Sequence, residues 1–290
     1  MALRLYNRKD KGVHVPEQGF VEICGAPLYY EVAGAGPPLV LLHEGFADSR
    51  MFDEQVAAFA AHHRVIRYDR HGCGRSGVPA APYTHHDALR ALLRHLGVER
   101  TALLGLSAGG GIAIDATLAE PALVTALIPV AAAVGGYAGT EATARQWGEI
   151  GAALAAGDVA GAVELTLRLW VDGPRRTRAQ VDPAVRARMR EMMAHYYMIR
   201  GDDPPSLEPP ALARLAEITV PTLIVVGDGD VPDVLAQADL LQAGIVDART
   251  VVIPEVAHVP NMERPALFNH LVLDFLAAPS GAKPRARPDH

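Results

Sequence analysis

The chain has 290 residues, of which 50% are hydrophobic, so it is long enough to bury a large core in one or two domains. Its formal net charge of -6 offers no broad basic surface for nucleic acid or for an anionic membrane, and we therefore expect a small-molecule partner. Cys24 and Cys73 are its only cysteines, which excludes a disulfide framework and gives no metal-binding spacing.

The two ends of the chain differ in composition from its centre. Residues 1–18 show no sustained periodicity, and charges near the N-terminus leave no apolar stretch of the kind that a secretory signal needs. We expect this segment to be an N-terminal arm, residues 279–290 to be a C-terminal tail, and the protein to be cytoplasmic. The most apolar window, residues 122–138, is interrupted by Pro129, Gly135 and Gly136, so no membrane span is predicted.

From residue 20 onward, short β-type runs alternate with helical patterns. Residues 20–23 and 27–32 predict a hairpin, because a short glycine-containing sequence separates them. The apolar run Pro38–Leu42 ends in His43 and predicts a buried central strand that delivers a loop to one edge of a sheet. The next predicted elements are helix 51–61, strand 64–68, helix 84–96, strand 101–106, helix 108–119 and strand 123–130. This alternation is typical of a parallel sheet flanked by helices.

The alternation stops at about residue 135 and returns at about residue 219. Between these positions the sequence predicts three or four helices, separated by breaks at residues 157–158, 172–174 and 201–205. After them come a strand at 222–226, a helix at 232–242, a strand at 249–253 and a closing helix at 265–277. We therefore predict one α/β core, residues 19–134 and 219–278, with residues 135–218 inserted as a helical cap.

A candidate nucleophile follows the predicted strand at 101–106. The run Gly105-Leu106-Ser107-Ala108-Gly109 has the pattern Gly-x-Ser-x-Gly between an apolar strand and a glycine-rich helix start, the context in which this motif is meaningful. Exposing the serine hydroxyl requires a very sharp turn, and glycines supply the room. The helix N-terminus favours an oxyanion beside Ser107, with the Ala108 amide as its first donor. Taken alone, the five residues are also compatible with an ordinary turn.

Two loops near the C-terminus supply a candidate acid and a candidate base. A serine hydroxyl needs a histidine to accept its proton and a carboxylate to orient that histidine. Asp230 follows the predicted strand at 222–226, and His258 follows the predicted strand at 249–253. Ligands gather at the carboxyl ends of strands in open α/β sheets, so these loops are expected to meet Ser107 at one edge. Asp228 is a competing acid.

Together, several stretches resemble the α/β-hydrolase superfamily, in particular its branch of serine esterases, lactonases and cofactor-free haloperoxidases. The resemblance covers about residues 20–278 and rests on LLHEGF (41–46), YDRHGCGRSG (68–77), GLSAGGG (105–111), VVGDGD (225–230) and AHVPNMERP (257–265). It implies an α/β-hydrolase fold, with a mostly parallel eight-stranded sheet flanked by helices and an inserted helical cap. It also implies a triad of Ser107, Asp230 and His258, since the family spacing Gly-x-x-Asp favours Asp230 over Asp228.

The resemblance implies a second oxyanion donor in the loop after His43. Counting from this histidine places the donor at Gly45 with Phe46 close by, but Glu44 stands where family members often have glycine, which leaves both amides open. The apolar stripes of the cap helices either line a pocket over Ser107 or dock the cap onto the core. The residues expected to line the substrate pocket are His43, Glu44, Trp170, Met193, Tyr197 and Val259.

Other polar residues are assigned structural roles. In the family, the loop that begins at Asp69 and Arg70 mainly braces the active site. The pairs at 62–63 and 85–86 are predicted to be surface histidines, because adjacent residues on a helix point in different directions and cannot share a metal. Cys73 is expected to be an unreactive thiol. No nucleotide-binding fingerprint is present, and neither a cofactor nor a metal is expected.

These residues predict a hydrolase that cleaves a carboxylic ester or a lactone through an acyl-enzyme intermediate. Relatives of this fold that hydrolyse epoxides or haloalkanes have an aspartate at the position of Ser107, so the serine indicates acyl transfer. Two alternatives remain open: an acyltransferase or perhydrolase of the same fold, and a ligand receptor that keeps the triad but turns over slowly. The sequence does not predict the oligomeric state.

Overall fold

A computed structural model describes residues 17–201, 204–205 and 207–278 of the chain. The strands are β1 (Glu17–Ile23), β2 (Ala26–Ala33), β3 (Pro38–Leu42), β4 (Arg64–Tyr68), β5 (Thr101–Leu106), β6 (Val124–Val130), β7 (Thr222–Gly227) and β8 (Ala248–Ile253). The α-helices are α1 (Asp53–Ala60), α2 (His85–His95), α3 (Ala108–Ala119), α4 (Glu141–Ala155), α5 (Val159–Thr166), α6 (Pro183–Ile199), α7 (Pro232–Gly244), α8 (Pro260–Glu263) and α9 (Pro265–Ala277). The chain also forms a π-helical turn at Leu167–Asp172 and 3-10 turns at Ser49–Phe52, Arg178–Gln180, Ala211–Ala213 and Leu215–Glu217.

The strands form one eight-stranded sheet in the order β1-β2-β4-β3-β5-β6-β7-β8. β2 runs antiparallel to β1 and β4, and the pairs from β4 through β8 are all parallel. The predicted fold class, a mostly parallel eight-stranded sheet flanked by helices, is therefore confirmed. Because parallel strands end at the same edge, the loops after β3, β5, β7 and β8 approach one another there.

Most predicted elements of the core begin and end within two residues of the bounds that the sequence indicated, and the differences are local. The predicted helix at 51–61 is a 3-10 turn followed by α1, because the Asp48 side chain accepts the Arg50 amide at 3.0 Å and starts the turn early. β1 begins at Glu17, so residues 17–18 of the predicted arm pair with β2. The rest of the arm and the predicted tail at 279–290 lie outside the described residues.

The sheet is buried on both faces. All six residues of β5 are buried, and their side chains alternate between two apolar clusters. Leu103 belongs to the cluster that contains Leu92 of α2, and Leu104 belongs to the cluster that contains Phe59 of α1 and Phe268 of α9. A central strand covered on both sides leaves its carboxyl end as the place for reactive side chains.

Residues 135–218, which we call the cap segment, connect β6 to β7 and contain α4, α5, the π-helical turn and α6. This segment contributes side chains to both apolar clusters, among them Trp170 to one and Met193 to the other. It therefore packs directly on the core. Within the described residues, no helix combines the length and the apolar character needed to cross a bilayer.

A buried ion pair holds the cap segment together. Arg186 of α6 has only 3% of its side chain exposed, and its Nε and Nη2 donate to the two carboxylate oxygens of Asp172 at 2.9 and 3.1 Å. Asp172 ends the π-helical turn, so this bidentate pair joins that turn to α6. Glu164 of α5 also contacts Arg186, but 48% of its side chain is exposed.

Replacing Asp172 with alanine removes the buried partner of the Arg186 guanidinium, so we expect the free energy of unfolding to fall by about 3 kcal/mol. Glu164→Ala removes a half-exposed partner of the same arginine and is expected to cost less than about 1 kcal/mol. Urea denaturation of both variants measures the two losses. Equal losses of unfolding free energy in the two variants would show that the buried pair of Asp172 with Arg186 stabilises the fold no more than the half-exposed pair of Glu164 with Arg186.

Candidate active site

The turn after β5 holds Ser107 in a sparsely populated backbone conformation, with φ 52° and ψ -116°. A Cβ atom on Gly105 would lie 2.1 Å from the carbonyl oxygen of Gly109, and one on Gly109 would lie 2.3 Å from the carbonyl oxygen of Leu42. Both approaches are to backbone atoms that cannot move aside. The glycines of the motif are therefore required for the sharp turn from β5 into α3.

Backbone hydrogen bonds fix this turn against β6 and the residues after it. The Ser107 amide donates to the carbonyl of Val130 at 2.8 Å, and the Ser107 carbonyl accepts the amides of Gly111 and Ala133 at 3.0 and 3.1 Å. Ala108 is the first residue of α3, so its amide is among the unpaired N–H groups at a helix start. Ser107 remains partly exposed at the edge of the sheet.

The predicted acid and base are in contact. Asp230 follows β7, His258 follows β8, and His258 Nδ1 lies 2.8 Å from Asp230 Oδ2. The other carboxylate oxygen of Asp230 accepts the amide of Val231 at 2.8 Å. The side chains of His258 and Asp230 are 2% and 0% exposed. A buried bond of this kind fixes the imidazole ring through Nδ1 and leaves Nε2 as its other nitrogen.

The competing acid, Asp228, has a different partner. Its Oδ1 accepts the amide of Glu255 at 2.8 Å, and the residue is half-buried. That hydrogen bond ties the loop after β7 to the loop after β8. The structure thus brings Asp230, and not Asp228, to the histidine.

The surroundings of His258 determine its protonation. Burial alone would lower the pKa of His258, but the Asp230 carboxylate, assisted by the charge of Glu44, raises that pKa above its ordinary value. The indole ring of Trp170 covers the imidazole, with the ring centroids 4.4 Å apart. Among the described residues, no group forms a hydrogen bond with the buried Nε2 of His258. That nitrogen can therefore accept a proton from a nearby hydroxyl.

The loop after β3 lies beside the serine turn. A Cβ atom on Gly45 would be 3.9 Å from the Cβ atom of Ala108, so these two residues are neighbours. The Phe46 amide donates to Glu44 Oε1 at 3.0 Å and is thereby occupied. Of the two amides that the sequence left open, that of Gly45 belongs to the residue beside Ala108, and it stays the predicted second oxyanion donor.

His43 and Arg70 brace this loop. His43 is fully buried, its Nδ1 donates to the Glu44 carbonyl at 2.8 Å, and its Nε2 accepts the Arg70 amide at 2.9 Å. Burial and the charge of Arg70 lower the pKa of His43 to about 3, which keeps the ring neutral. Since both ring nitrogens are engaged, His43 supports the loop and offers no polar atom to a pocket, unlike the sequence-based expectation.

The neighbouring loop after β4 has one feature that the sequence did not predict. His85 lies 3.3 Å from the Arg70 guanidinium, and burial together with the charge of Arg70 lowers the pKa of His85 to about 2. His85 was predicted to lie at the surface and is only partly exposed, because the start of α2 packs onto Arg70. Asp69 accepts two backbone amides and braces its loop. Burial raises the pKa of the Cys73 thiol to about 11, which keeps it unreactive.

Aromatic side chains from the cap segment cover the loop after β3. The Phe46 ring lies 5.4 Å from Tyr196, 5.6 Å from Trp147 and 5.9 Å from Tyr197, measured between centroids. Trp147 in turn contacts Trp170 at 6.0 Å. We call these five residues the aromatic cluster. Since Trp170 also contacts His258, the cluster extends from the predicted oxyanion loop to the catalytic histidine candidate.

The remaining predicted pocket residues occupy two kinds of position. Tyr197 is partly exposed, and its hydroxyl shares a 2.7 Å hydrogen bond with Thr166 Oγ1. Met193 and Val259 are both 0% exposed and belong to the same apolar cluster, so they support the site from the core. In the part of the chain that the structure describes, no group of three or more His, Cys, Asp or Glu side chains is arranged to hold a metal ion.

Residues 39–271 match the alpha/beta hydrolase family. The chain belongs to this family. It is 32% identical to the putative carbamate hydrolase RutD of Azorhizobium caulinodans over 260 residues, covering 86% of this chain and 95% of that protein. It is 30% identical to the pimeloyl-[acyl-carrier protein] methyl ester esterase of Pectobacterium carotovorum, covering 87% of this chain and all of that protein. The crystal structure of an enol-lactonase from Burkholderia xenovorans superposes with a TM-score of 0.74 at 25% identity, covering 90% of this chain and 100% of that chain.

Sequence reasoning missed two members of this alpha/beta hydrolase's aromatic cluster, Trp147 and Tyr196. Trp147 lies on α4, which is otherwise mostly exposed, and Ile150 is the only fully buried residue of that helix. A lone large aromatic residue on a polar helix was the available signal, because such a side chain needs an apolar partner. The sequence did not single out Tyr196, because nothing in it indicates that the adjacent rings of Tyr196 and Tyr197 both contact Phe46.

Gly109→Ala places a methyl group against the carbonyl oxygens of Leu42 and His43, and we expect the free energy of unfolding to fall by about 1–3 kcal/mol. Gly151→Ala is the matched control, because nothing lies within 4 Å of that position on α4. This control should raise stability by about 0.5–1 kcal/mol, since alanine favours a helix over glycine. Thermal denaturation measures both changes, and a Gly109→Ala protein as stable as the parent would contradict the close approach.

Proposed function

We propose that this alpha/beta hydrolase cleaves a carboxylic ester or a lactone through an acyl-enzyme intermediate on Ser107. The observation that carries the proposal is the buried 2.8 Å hydrogen bond between His258 and Asp230, at the sheet edge where the sharp turn after β5 presents Ser107. The combination of a serine, a histidine and a buried carboxylate supports nucleophilic acyl transfer.

The proposed reaction has two halves. In the first, Ser107 Oγ attacks the carbonyl carbon while His258 Nε2 takes the hydroxyl proton, and Asp230 stabilises the imidazolium that forms. The tetrahedral intermediate carries a negative oxygen, which the amides of Ala108 and Gly45 stabilise by about 3 kcal/mol for each donor. The leaving alkoxide then receives the proton from His258. In the second half, a water gives a proton to His258 and attacks the acyl carbon. The bond between that carbon and Ser107 Oγ then breaks, Oγ takes the proton back from His258, and the acid is released.

The aromatic cluster supports a substrate with a partly apolar acyl or alcohol group. Four of its five rings come from the cap segment, and three of these contact Phe46 in the loop that holds Gly45. Aromatic side chains in a pocket bury large apolar area and leave a few polar atoms to orient a ligand. The similarity to a methyl ester esterase and to an enol-lactonase supports esters and lactones as the first substrates to test.

A carbamate is a second candidate substrate. Two putative carbamate hydrolases share 32% and 31% identity with this chain over 86% and 87% of its length. A carbamate has the same carbonyl carbon for Ser107 to attack, so the proposed mechanism needs no further group. Adding a carbamate to the substrate panel compares it directly with the esters.

Ser107→Ala should abolish hydrolysis of a panel of p-nitrophenyl esters, small lactones and a carbamate, leaving at most the ~10³-fold of catalysis over water that binding and the oxyanion donors provide. Mass spectrometry of the wild type treated with a fluorophosphonate is expected to find the adduct on Ser107. Turnover that survives the substitution would refute the nucleophile. An adduct on Ser107 with no turnover of any ester, lactone or carbamate would favour the slow-turnover receptor.

Asp230→Asn should lower kcat by roughly 10³- to 10⁴-fold, because the amide no longer stabilises the imidazolium. The same change removes the charge that raises the pKa of His258, so the acid limb of the pH–rate profile should move to lower pH. This direction follows because a histidine that loses its proton more easily remains a competent base in more acidic solution. Stopped-flow assays across pH measure both effects.

Asp228→Asn is the matched control for that experiment, since it alters the same loop two residues away. It removes the charge at a half-buried position, keeps an oxygen that can accept the Glu255 amide, and leaves the contact between Asp230 and His258 in place. We expect its kcat and acid limb to stay close to those of the wild type. The reverse pattern, with a large loss from Asp228→Asn alone, would assign the acid to Asp228.

A further inference from the structure

Glu44 is a buried carboxyl group at the site that lies outside the predicted triad. Only 1% of the residue is exposed, and it stands two residues after the end of β3, in the predicted oxyanion loop. Its Oε1 accepts the Phe46 amide at 3.0 Å. The side chain therefore folds back over its own loop and occupies one of the two amides that could serve an oxyanion.

The backbone of this loop is fixed from the opposite side by Arg70. The guanidinium donates to the carbonyls of Glu44 and Gly45, each at 3.1 Å. In a trans peptide the N–H group points away from the carbonyl of the preceding residue. The amides of Gly45 and Phe46 therefore both point away from Arg70, toward the side where Phe46 N–H meets Glu44 Oε1.

We propose that Glu44 is a positioning residue of the oxyanion hole, whose carboxyl oxygen accepts the Phe46 N–H and thereby fixes the loop with Gly45 beside Ala108. This inference rests on the proposed acyl transfer at Ser107. With the Phe46 amide held in place and both carbonyls on Arg70, the loop has one arrangement before substrate arrives. Donors that are fixed in advance need no reorganisation when the oxyanion forms.

The hydrogen bond, and not the negative charge, is the property of Glu44 that this role requires. Burial raises the pKa of Glu44, while the charge of His258, the Phe46 amide, the charge of Arg70 and the Gly45 amide act in the opposite direction. The charge of Glu44 also reaches Tyr197 and Cys73, which pack on the site from the cap segment and from the loop after β4. Glutamine is neutral and keeps the acceptor oxygen, so it separates the hydrogen bond from the charge.

The experiment compares Glu44→Ala and Glu44→Gln by the rate at which a fluorophosphonate labels Ser107. The phosphonyl oxygen needs the same two amides as a substrate oxyanion, so this rate reports the oxyanion hole without knowledge of the natural substrate. We expect Glu44→Ala to label roughly 10²-fold more slowly than the wild type, as for a misplaced catalytic group. Glu44→Gln should label about tenfold faster than Glu44→Ala, the value of one restored hydrogen bond.

Glu31→Ala is the control for removal of a buried glutamate, because the partners of Glu31 are Tyr29, Arg67 and Arg75. It should lower the melting temperature and leave the labelling rate unchanged. Hydrogen exchange of the peptide that contains residues 43–49 gives a second readout. Exchange at Phe46 should be faster in Glu44→Ala than in Glu44→Gln, because only the alanine variant lacks an acceptor.

The possible outcomes separate this proposal from the proposed function. Equal labelling rates for the alanine and glutamine variants, whether both fast or both slow, would overturn the positioning role, since the two differ in the acceptor oxygen. Unchanged exchange at Phe46 in Glu44→Ala would overturn it as well. Failure of the wild type to label at Ser107 would instead refute the nucleophile, and the exchange experiment would still decide whether Glu44 holds the loop.

Discussion

The geometry of the site depends on a backbone contact that only glycine permits, the approach of Gly109 to the carbonyls at the end of β3. This contact presses the start of α3 against the residues before the oxyanion loop, and a Cβ atom at Gly109 would lie 2.3 and 2.5 Å from the two carbonyl oxygens there. Ala108 is consequently a neighbour of Gly45. In the proposed oxyanion hole, two amides from segments 63 residues apart in sequence stabilise one developing charge, and this contact keeps the two segments together.

Several buried ionisable side chains surround this contact. Asp230 holds one nitrogen of His258, while Glu44 contributes negative charge from the loop after β3. Arg70 is also buried, and its guanidinium donates to the backbone carbonyls of Glu44 and Gly45. The amides of Gly45 and Phe46 therefore point away from Arg70. His43, placed between the strand end and Arg70, is kept neutral by the same arginine. Each of these buried ionisable side chains therefore has at least one hydrogen-bond partner.

The core elements could be predicted from the sequence because each is a local pattern with clear ends. β4, β5, α3 and α9 have the predicted bounds, since apolar runs and helical periodicity are interrupted there by glycine or proline. The π-helical turn at Leu167–Asp172 and the burial of His85 could not be predicted, because both result from packing between segments distant in sequence. The sequence showed Glu44 as a departure from the family pattern, but only the structure shows that its carboxyl group accepts the Phe46 amide.

If the proposed triad is correct, the π-helical turn couples substrate recognition to catalysis. Its Trp170 covers the imidazole of His258, and the Trp170 carbonyl accepts the His258 amide at 3.3 Å. Just beyond the turn, a Cβ atom on Gly173 would lie 2.5 Å from the carbonyl oxygen of Gly229, which precedes Asp230. The cap segment thus contacts both loops that carry the acid and the base. A change in the aromatic cluster that alters substrate choice will also alter the environment of His258, because one short turn serves both.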